Sequence, residues 1–362
     1  MAELAAGTTE VDRLRRVPPR RNGRPAPRGD AARDHGSRAA SEPLSREDPK
    51  DASLAIRLCA VIVAASPDEP RVLALRLAAE GVEALPAGPL EVEHRTLEIG
   101  LRAWVERQTS QRLGYVEQLY TFGDRDRVEA GAPVRALTVA YLALAHEARP
   151  DGSAAAAWRN WYHYFPWEDW REGRPVGVPA LEEGLALWAR QGASEAERRL
   201  RAERVGLAFA RPWNDERVLE RYELLYEAGL IQERWRDLGR LAPDGERPAA
   251  GVAMAADHRR ILATAIGRLR GKIKYRPVVF ELMPPAFTLL QLQRTVEALS
   301  GVRLHKQNFR RLVEQQGLVE ETGEISSETG GRPARLVRFR REVVLERPAP
   351  GLRLRAGRRI PD

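Results

Sequence analysis

The stretch from Phe287 to Phe339 opens FTLLQLQRTVEALSGVRLHKQNFRRLVEQQGLV (287–319) and closes on GGRPARLVRF (330–339). Thr288 stands where a helix N-cap belongs, Gln291 follows at the third helical position as in a capping box, and Phe287 and Leu292 have the spacing of a hydrophobic staple. A helix is therefore expected to start at Leu289. Leu289, Leu292, Val296 and Leu299 recur at helical spacing, and Gly301 is its stop. A second helix is predicted from about His305 to Gln316, with Phe309, Leu312 and Val313 on its buried stripe and Gly317 as its C-terminal cap. Two short helices joined by a glycine-containing turn have the layout of a helix-turn-helix.

Opposite the buried stripe of the second helix stand Gln307, Arg310, Arg311 and Glu314, a polar and mostly cationic face. Recognition helices place their N-terminal residues on base edges, and Arg and Gln read purines bidentately. Glu320 to Ile325 and Arg335 to Phe339 read as two strands around the loop SSETGGRP, a wing on which Arg332 and Arg335 would flank phosphates or a minor groove. The plainer reading, a solvated charged face, accounts for the charges alone. Caps, stripe, basic face and wing together favour DNA.

The charge distribution agrees. Residues 251 to 362 hold 22 Lys and Arg against 11 Asp and Glu, a net +11; residues 1 to 50 hold 11 against 8, and residues 51 to 250 hold 26 against 32. The positive field belongs to the C-terminal segment, which favours polyanions and salt-dependent binding. A single cysteine, Cys59, excludes an intramolecular disulfide; it lies in an apolar run and reads as core. The six histidines are scattered and offer no zinc-ligand spacing, and no metal is expected. No apolar stretch reaches the roughly 18 residues needed to span a bilayer, and the arginines of residues 12–28 are followed by no apolar signal core. A cytoplasmic protein without membrane contact is expected.

The expected domains are a disordered Arg/Pro-rich tail (1–50), a compact domain (51–150), a helical Trp-rich insertion (151–254), a linker helix with the winged helix-turn-helix (255–345) and a basic tail (346–362). From Leu54, LAIRLCAVIVAA and RVLALRL flank the turn SPDEP as paired strands. TLEIGLRAWVERQ follows as a helix, with Leu97, Leu101, Trp104 and Val105 on one stripe, and LGYVEQLYTFG and VRALTVAYLALA add strands. Such an order indicates a compact mixed domain, α+β overall. The insertion places Trp158, Trp161, Tyr162, Tyr164, Phe165, Trp167 and Trp170 within thirteen positions. Packing of these rings against the preceding domain or a partner subunit is favoured over stacking on a nucleobase or nicotinamide. A helix from about His258 to Ile273 then leads to the winged helix.

The span ending at Thr109 and Ser110 resembles the Nudix box, G-x5-E-x7-R-E-U-x-E-E-x-G-U. Gly88, Arg102 and Glu106 fit, with Trp104 at the apolar position. His94 stands at the first Glu, Ala103 at the Glu after the Arg, Arg107 at the second Glu of the pair, and Thr109 and Ser110 at the final Gly and aliphatic residue. In active members these carboxylates hold Mg²⁺ against a pyrophosphate, and a hard divalent cation needs several oxygen ligands. One Glu beside an Arg implies that hydrolysis is lost and that no residue is catalytic. An active pyrophosphohydrolase on ADP-ribose or NAD-type dinucleotides is the alternative.

The degenerate box, YTFGD (120–124), DHRRIL, KIKYRPVVFEL, FTLLQLQ, KQNFRR and GRPARLVRF in this order resemble the Nudix-related transcriptional regulators of NAD metabolism, over roughly 53–150 and 255–345. The insertion and the Arg-rich N-terminus make the chain similar to the longer bacterial NAD regulator subgroup. The resemblance implies a Nudix-like α/β/α sandwich with a C-terminal winged helix. It also implies a homodimeric repressor of NAD biosynthesis or salvage genes, bound to a double-stranded palindromic operator and controlled by a nucleotide effector such as ADP-ribose or NAD, with no other cofactor. On that reading Lys306, Gln307, Arg310 and Arg311 read the operator and Arg332 and Arg335 are wing contacts. Arg57, Arg102 and Glu106 are candidate effector residues; the alternative role for the two box residues is an intrahelical ion pair with each other.

Overall fold

Leu54–Ala65 is apolar at nearly every position because the strand it forms, β1, is covered on both faces, where a sequence need not alternate. The structure, a computed structural model, describes residues 54–77, 81–123, 135–147, 156–243, 248–326, 333–346 and 351–352. The expected N-terminal tail, Arg332, Asp124 and most of the basic C-terminal tail lie outside these residues. After β1 come β2 (Pro70–Arg76), β3 (Glu83–Ala84), β4 (Ala87–Pro89), α1 (Leu97–Thr109), β5 (Tyr115–Phe122), β6 (Arg135–Leu144) and β7 (Ala156–Asn160). Four helices follow, α2 (Val178–Arg190), α3 (Glu195–Phe209), α4 (Val218–Glu227) and α5 (Gln232–Asp237). The long α6 (His258–Tyr275) leads to α7 (Leu289–Ser300), α8 (Lys306–Gln316), β8 (Val319–Ser326), β9 (Ala334–Phe339) and the short α9 (Val343–Glu346).

The first seven strands form one mixed sheet in the order β3-β2-β1-β6-β5, with β4 also on β1 and β7 on β2. β1 and β6 run parallel, in register from Leu54 opposite Arg135 to Val63 opposite Leu144; β1 and β2 are antiparallel, as expected of the strands around SPDEP. Leu58, Ala60 and Ile62 point to one face, where Leu101 and Val105 of α1 cover them. Cys59, Val61 and Val63 point to the other, where they join one continuous core with the aromatic segment, α6 and the winged helix. The layers are those of an α/β/α sandwich within an α+β chain. Cys59 is fully buried, and desolvation pushes its thiol up to about 12.

The Trp-rich block is built into this core. Trp161, Tyr162, Tyr164, Phe165, Trp167 and Trp170 are all buried, with Phe165 edge-on to Trp167 and Tyr222, so the rings are packed as expected. One feature differs from the helical reading of this block. Residues 156–160 form β7 and pair with β2 from Arg71 opposite Asn160 to Leu75 opposite Ala156, because β2 offers an edge there and Ala156 and Trp158 pack against the sheet core.

At the centre of the second layer Glu168 is fully buried between two fully buried arginines. Arg221 of α4 donates to both of its carboxylate oxygens at 2.6 and 2.9 Å and also to the carbonyls of Ala208 and Asn214. Arg270 of α6 donates to Glu168 at 2.7 Å, to the carbonyl of Asp215 at 3.0 Å and to the carbonyl of Leu299 in α7 at 2.9 Å. The Tyr162 hydroxyl donates to the carbonyl of Ala298, and the backbone N–H of Trp170 to that of Gly301. Gly301 has φ 74°, and a Cβ there would lie 2.3 Å from the Glu168 carbonyl oxygen, so the contact requires glycine on both counts. A second buried pair, Arg259–Glu233, joins α6 to α5.

Removing one partner of a buried ion pair leaves an uncompensated charge. Glu168→Gln is expected to destabilise the chain by roughly 3–5 kcal/mol in denaturant unfolding, whereas Arg335→Ala on the exposed wing stays within about 1 kcal/mol. His258 supplies a pH dependence. Its Nδ1 accepts the N–H of Leu85 at 3.0 Å, and burial, with Arg57 and Arg236 nearby, lowers its pKa to about 4. The folded state thus favours the neutral ring. Its contribution is complete above the unfolded value of about 6.5 and is lost as pH falls towards 4. The stability difference between wild type and His258→Gln should narrow across that window by roughly 3 kcal/mol.

Candidate nucleic-acid interface and the box helix

The local signals around Thr288 are realised as hydrogen bonds. The Thr288 hydroxyl accepts the N–H of Gln291 at 3.1 Å, and the Gln291 side chain accepts the N–H of Thr288 at 2.7 Å, a complete capping box at the start of α7. α7 ends at Gly301 and α8 at Gly317, both left-handed. Phe309 and Val313 are buried and Leu312 is half-buried, so the predicted stripe holds α8 on the domain.

The angle between the two helices depends on a residue absent from the sequence reading, Glu297. It is 4% exposed, accepts the N–H of Leu304 at 2.9 Å and the amide of Gln293 at 2.9 Å, and pairs with Arg303 at 3.1 Å. One carboxylate thereby satisfies the turn between α7 and α8. The available signal was an acid four residues after Gln293, next to the apolar stripe and six residues before an arginine. The wing is tied on by mutual backbone bonds between Phe287 and Val337, and Phe339 stacks on Phe280 at 4.3 Å.

Lys306, Gln307, Arg310 and Arg311 are all exposed on α8 and stand on one outward side. Arg311 reaches Asn308 at 3.4 Å, while Lys306 and Arg310 make no ion pair among the described residues. The wing differs electrostatically: Arg335 pairs with Glu321 and Arg338 with Glu320, each at 2.6 Å. The unneutralised positive charge therefore concentrates at the N-terminal half of α8.

The candidate effector residues are not brought together. Arg102 and Glu106 lie on α1, which covers the Leu58–Ile62 face of the sheet. Arg57 lies on the Cys59 side, near enough to act on Cys59 and His258. Nor do the two box residues pair with each other: Arg102 bonds Glu98 at 2.9 Å and the carbonyls of Leu113 and Gly114, and Glu106 pairs with Arg112 at 3.2 Å. Trp104 packs so closely over Gly88 that a Cβ there would fall 2.1 Å from the indole, whose N–H donates to the carbonyl of Pro89. Arg107 stacks on Trp104 at 4.1 Å and approaches Glu91 at 3.6 Å. His94 accepts the N–H of Glu91. Among the described residues no group of three or more His, Cys, Asp or Glu is arranged to hold a metal ion, and no helix is long and apolar enough to cross a membrane.

Residues 279–339 match the model of the NrtR DNA-binding winged helix domain. The ADPR responsive transcriptional repressor NtrR of Acinetobacter baylyi is 44% identical over 91 residues, which are 25% of this chain and 36% of that protein, so the match spans about a third of the relative's length. Shewanella oneidensis NrtR complexed with a 27mer DNA is similar over 80% of this chain and 95% of that one, at 20% identity and a TM-score of 0.48. The NUDIX domain of the same Shewanella protein, complexed with ADP ribose, is similar over 34% of this chain and 84% of that one, at 22% identity and a TM-score of 0.29. The family model thus bears on residues 279–339, which are similar to the NrtR DNA-binding winged helix domain.

Proposed function

We propose that the chain is a homodimeric transcriptional repressor whose winged helices dock on a palindromic DNA operator and whose Nudix-like layer senses a nucleotide. The observation that carries this reading is the outward side of α8, where Lys306 and Arg310 stand exposed and unneutralised within a domain matching a DNA-binding family. Lys306, Gln307, Arg310 and Arg311 act in the major groove, and Arg335 and Arg332 act at the wing. Arg335 must exchange Glu321 for a phosphate to do so, which makes the wing the weaker contact.

ADP-ribose is the effector favoured by the name of the Acinetobacter relative, and NAD biosynthesis or salvage genes are the regulon that the sequence resemblance implies. Arg102 and Glu106 border the effector site on the α1 side of the sheet. Arg57 acts from the other face and contributes there to holding His258 neutral. Hydrolysis is absent on this reading, because His94, Ala103 and Arg107 occupy positions where the chemistry needs carboxylates, and Trp104 with Arg107 stacked on it fills the space over Gly88. The regulator works in the cytoplasm.

Two measurements test the proposal. In gel shifts on the gene's own upstream duplex, Arg310→Ala with Arg311→Ala should weaken binding by about 10–100-fold, and far less on random DNA of equal length. Equal loss on both duplexes would mean nonspecific binding. Purified protein with Mg²⁺ and ADP-ribose should release no AMP; hydrolysis that disappears in Glu106→Gln would replace the sensor by an enzyme.

A further inference from the structure

A fifteen-residue helix normally hides one stripe against its domain, yet α3 buries only Ala208 and Phe209, at its C-terminal end. Its other attachments include Arg201, which lies over the Trp188 ring and donates to the Trp188 carbonyl, Arg198 on the carbonyl of Gly192, Arg204 paired with Glu227, and half-buried Val205. Away from these, Ala196, Leu200 and Leu207 line up at helical spacing in water, with Leu200 57% and Leu207 60% exposed. Helices held so lightly are marginal in water, and an apolar stripe rimmed by charge marks a docking face.

The charges beside the stripe identify the occupant. In a two-fold antiparallel pair, residues on one side of a helix meet residues on the same side of its copy. Centred near residue 201, such a pair sets Leu200 beside Leu200 of the other copy and Leu207 against Ala196. On one flank Glu203, paired in its own helix with Arg199, then also faces Arg199 of the copy; on the other Arg204, paired with Glu227, faces Glu197 of the copy, itself paired with Arg201. The pattern is thus complementary to itself on both flanks. We propose that α3 pairs with α3 of a second copy of this chain and that this contact joins the insertions of a dimer. The inference rests on the homodimer proposed above and assigns it a surface. One helix pair buries less than about 1,200 Å², in the range of weak and reversible contacts, so it supplements any other contact between the copies and is favoured when both are held on one operator.

The test uses the full chain, in which Cys59 is buried and gives a silent background. Leu200→Cys should cross-link to a dimer under mild oxidation, whereas Ala202→Cys, exposed on another side of α3, should not. Leu200→Glu with Leu207→Glu, both at exposed positions that the fold does not need, should weaken dimerisation at least 10-fold in sedimentation equilibrium with unchanged circular dichroism. A dimer that resists the double substitution, with no selective cross-link at 200, overturns this surface and leaves the homodimeric regulator standing. A chain that is monomeric both free and on the operator duplex overturns both.

Discussion

The structure depends on a carboxylate that has no water around it. Glu168 would be costly to bury alone, and even paired it is stabilised only because nearly every polar atom of the cluster has a partner. Arg221 and Arg270 divide the carboxylate between them and spend their remaining N–H groups on carbonyls of the α3–α4 segment and the end of α7. A guanidinium suits this role because its donors lie in one rigid plane and can hold several chain segments in fixed relation. Four segments far apart in sequence therefore share one electrostatic centre: the aromatic run, α4, α6 and α7. Any movement of α7 away from α6 would expose or unpair at least one buried charge.

That constraint bears on how a ligand signal could reach DNA. From the sequence, α6 reads as a linker helix between two domains, where a hinge would sit. In the structure α6 is buried along most of its length, bonded to α5 through Arg259 and to β5 through Lys272, and its C-terminal end is held by Asp215 and Glu216. The winged helix, the insertion and the sheet thus share one core. On the proposed function, coupling between a nucleotide and an operator would act on the arrangement of two protomers, by changing the distance between two α8 helices, more than on a flexion inside one.

Local chemistry was legible in the sequence wherever it is closed within a few residues. The Thr288–Gln291 capping box, the glycine caps at 301 and 317, the stripe of Phe309 and Val313 and the exposed face of α8 all follow from neighbours on one helix, and all appear as read. β1, β2, α1, β5, β6 and α6 also fall where their patterns placed them. What escaped is long-range. β7 became a strand only because β2 offered it an edge, Glu297 has meaning only once Leu304 folds back over it, and Glu168 gives no sign in WEDW that two arginines more than fifty and a hundred residues away will enclose it. The candidate effector residues show the same limit: a strand alternates its faces, and position 57 falls on the far side of the sheet from α1.

The box spacing without the box carboxylates also has a physical account. Each residue that fits the pattern makes a local contact, and those of Gly88 and Arg102 fix the loop–helix unit. Gly88 lets Trp104 lie flat against β4, Arg102 closes the loop at Leu113 and Gly114, and Glu106 holds Arg112. The residues that depart from the pattern also have employment: Arg107 stacks on Trp104, and His94 caps the turn at Glu91. The geometry of the loop–helix unit is thereby maintained by packing and by hydrogen bonds and ion pairs among its own side chains, where a metal-binding version would need a cluster of negative charge stabilised by the ion itself. A loop–helix unit held in this way does not depend on a cation to assemble it, which is what the proposed sensing role requires of it.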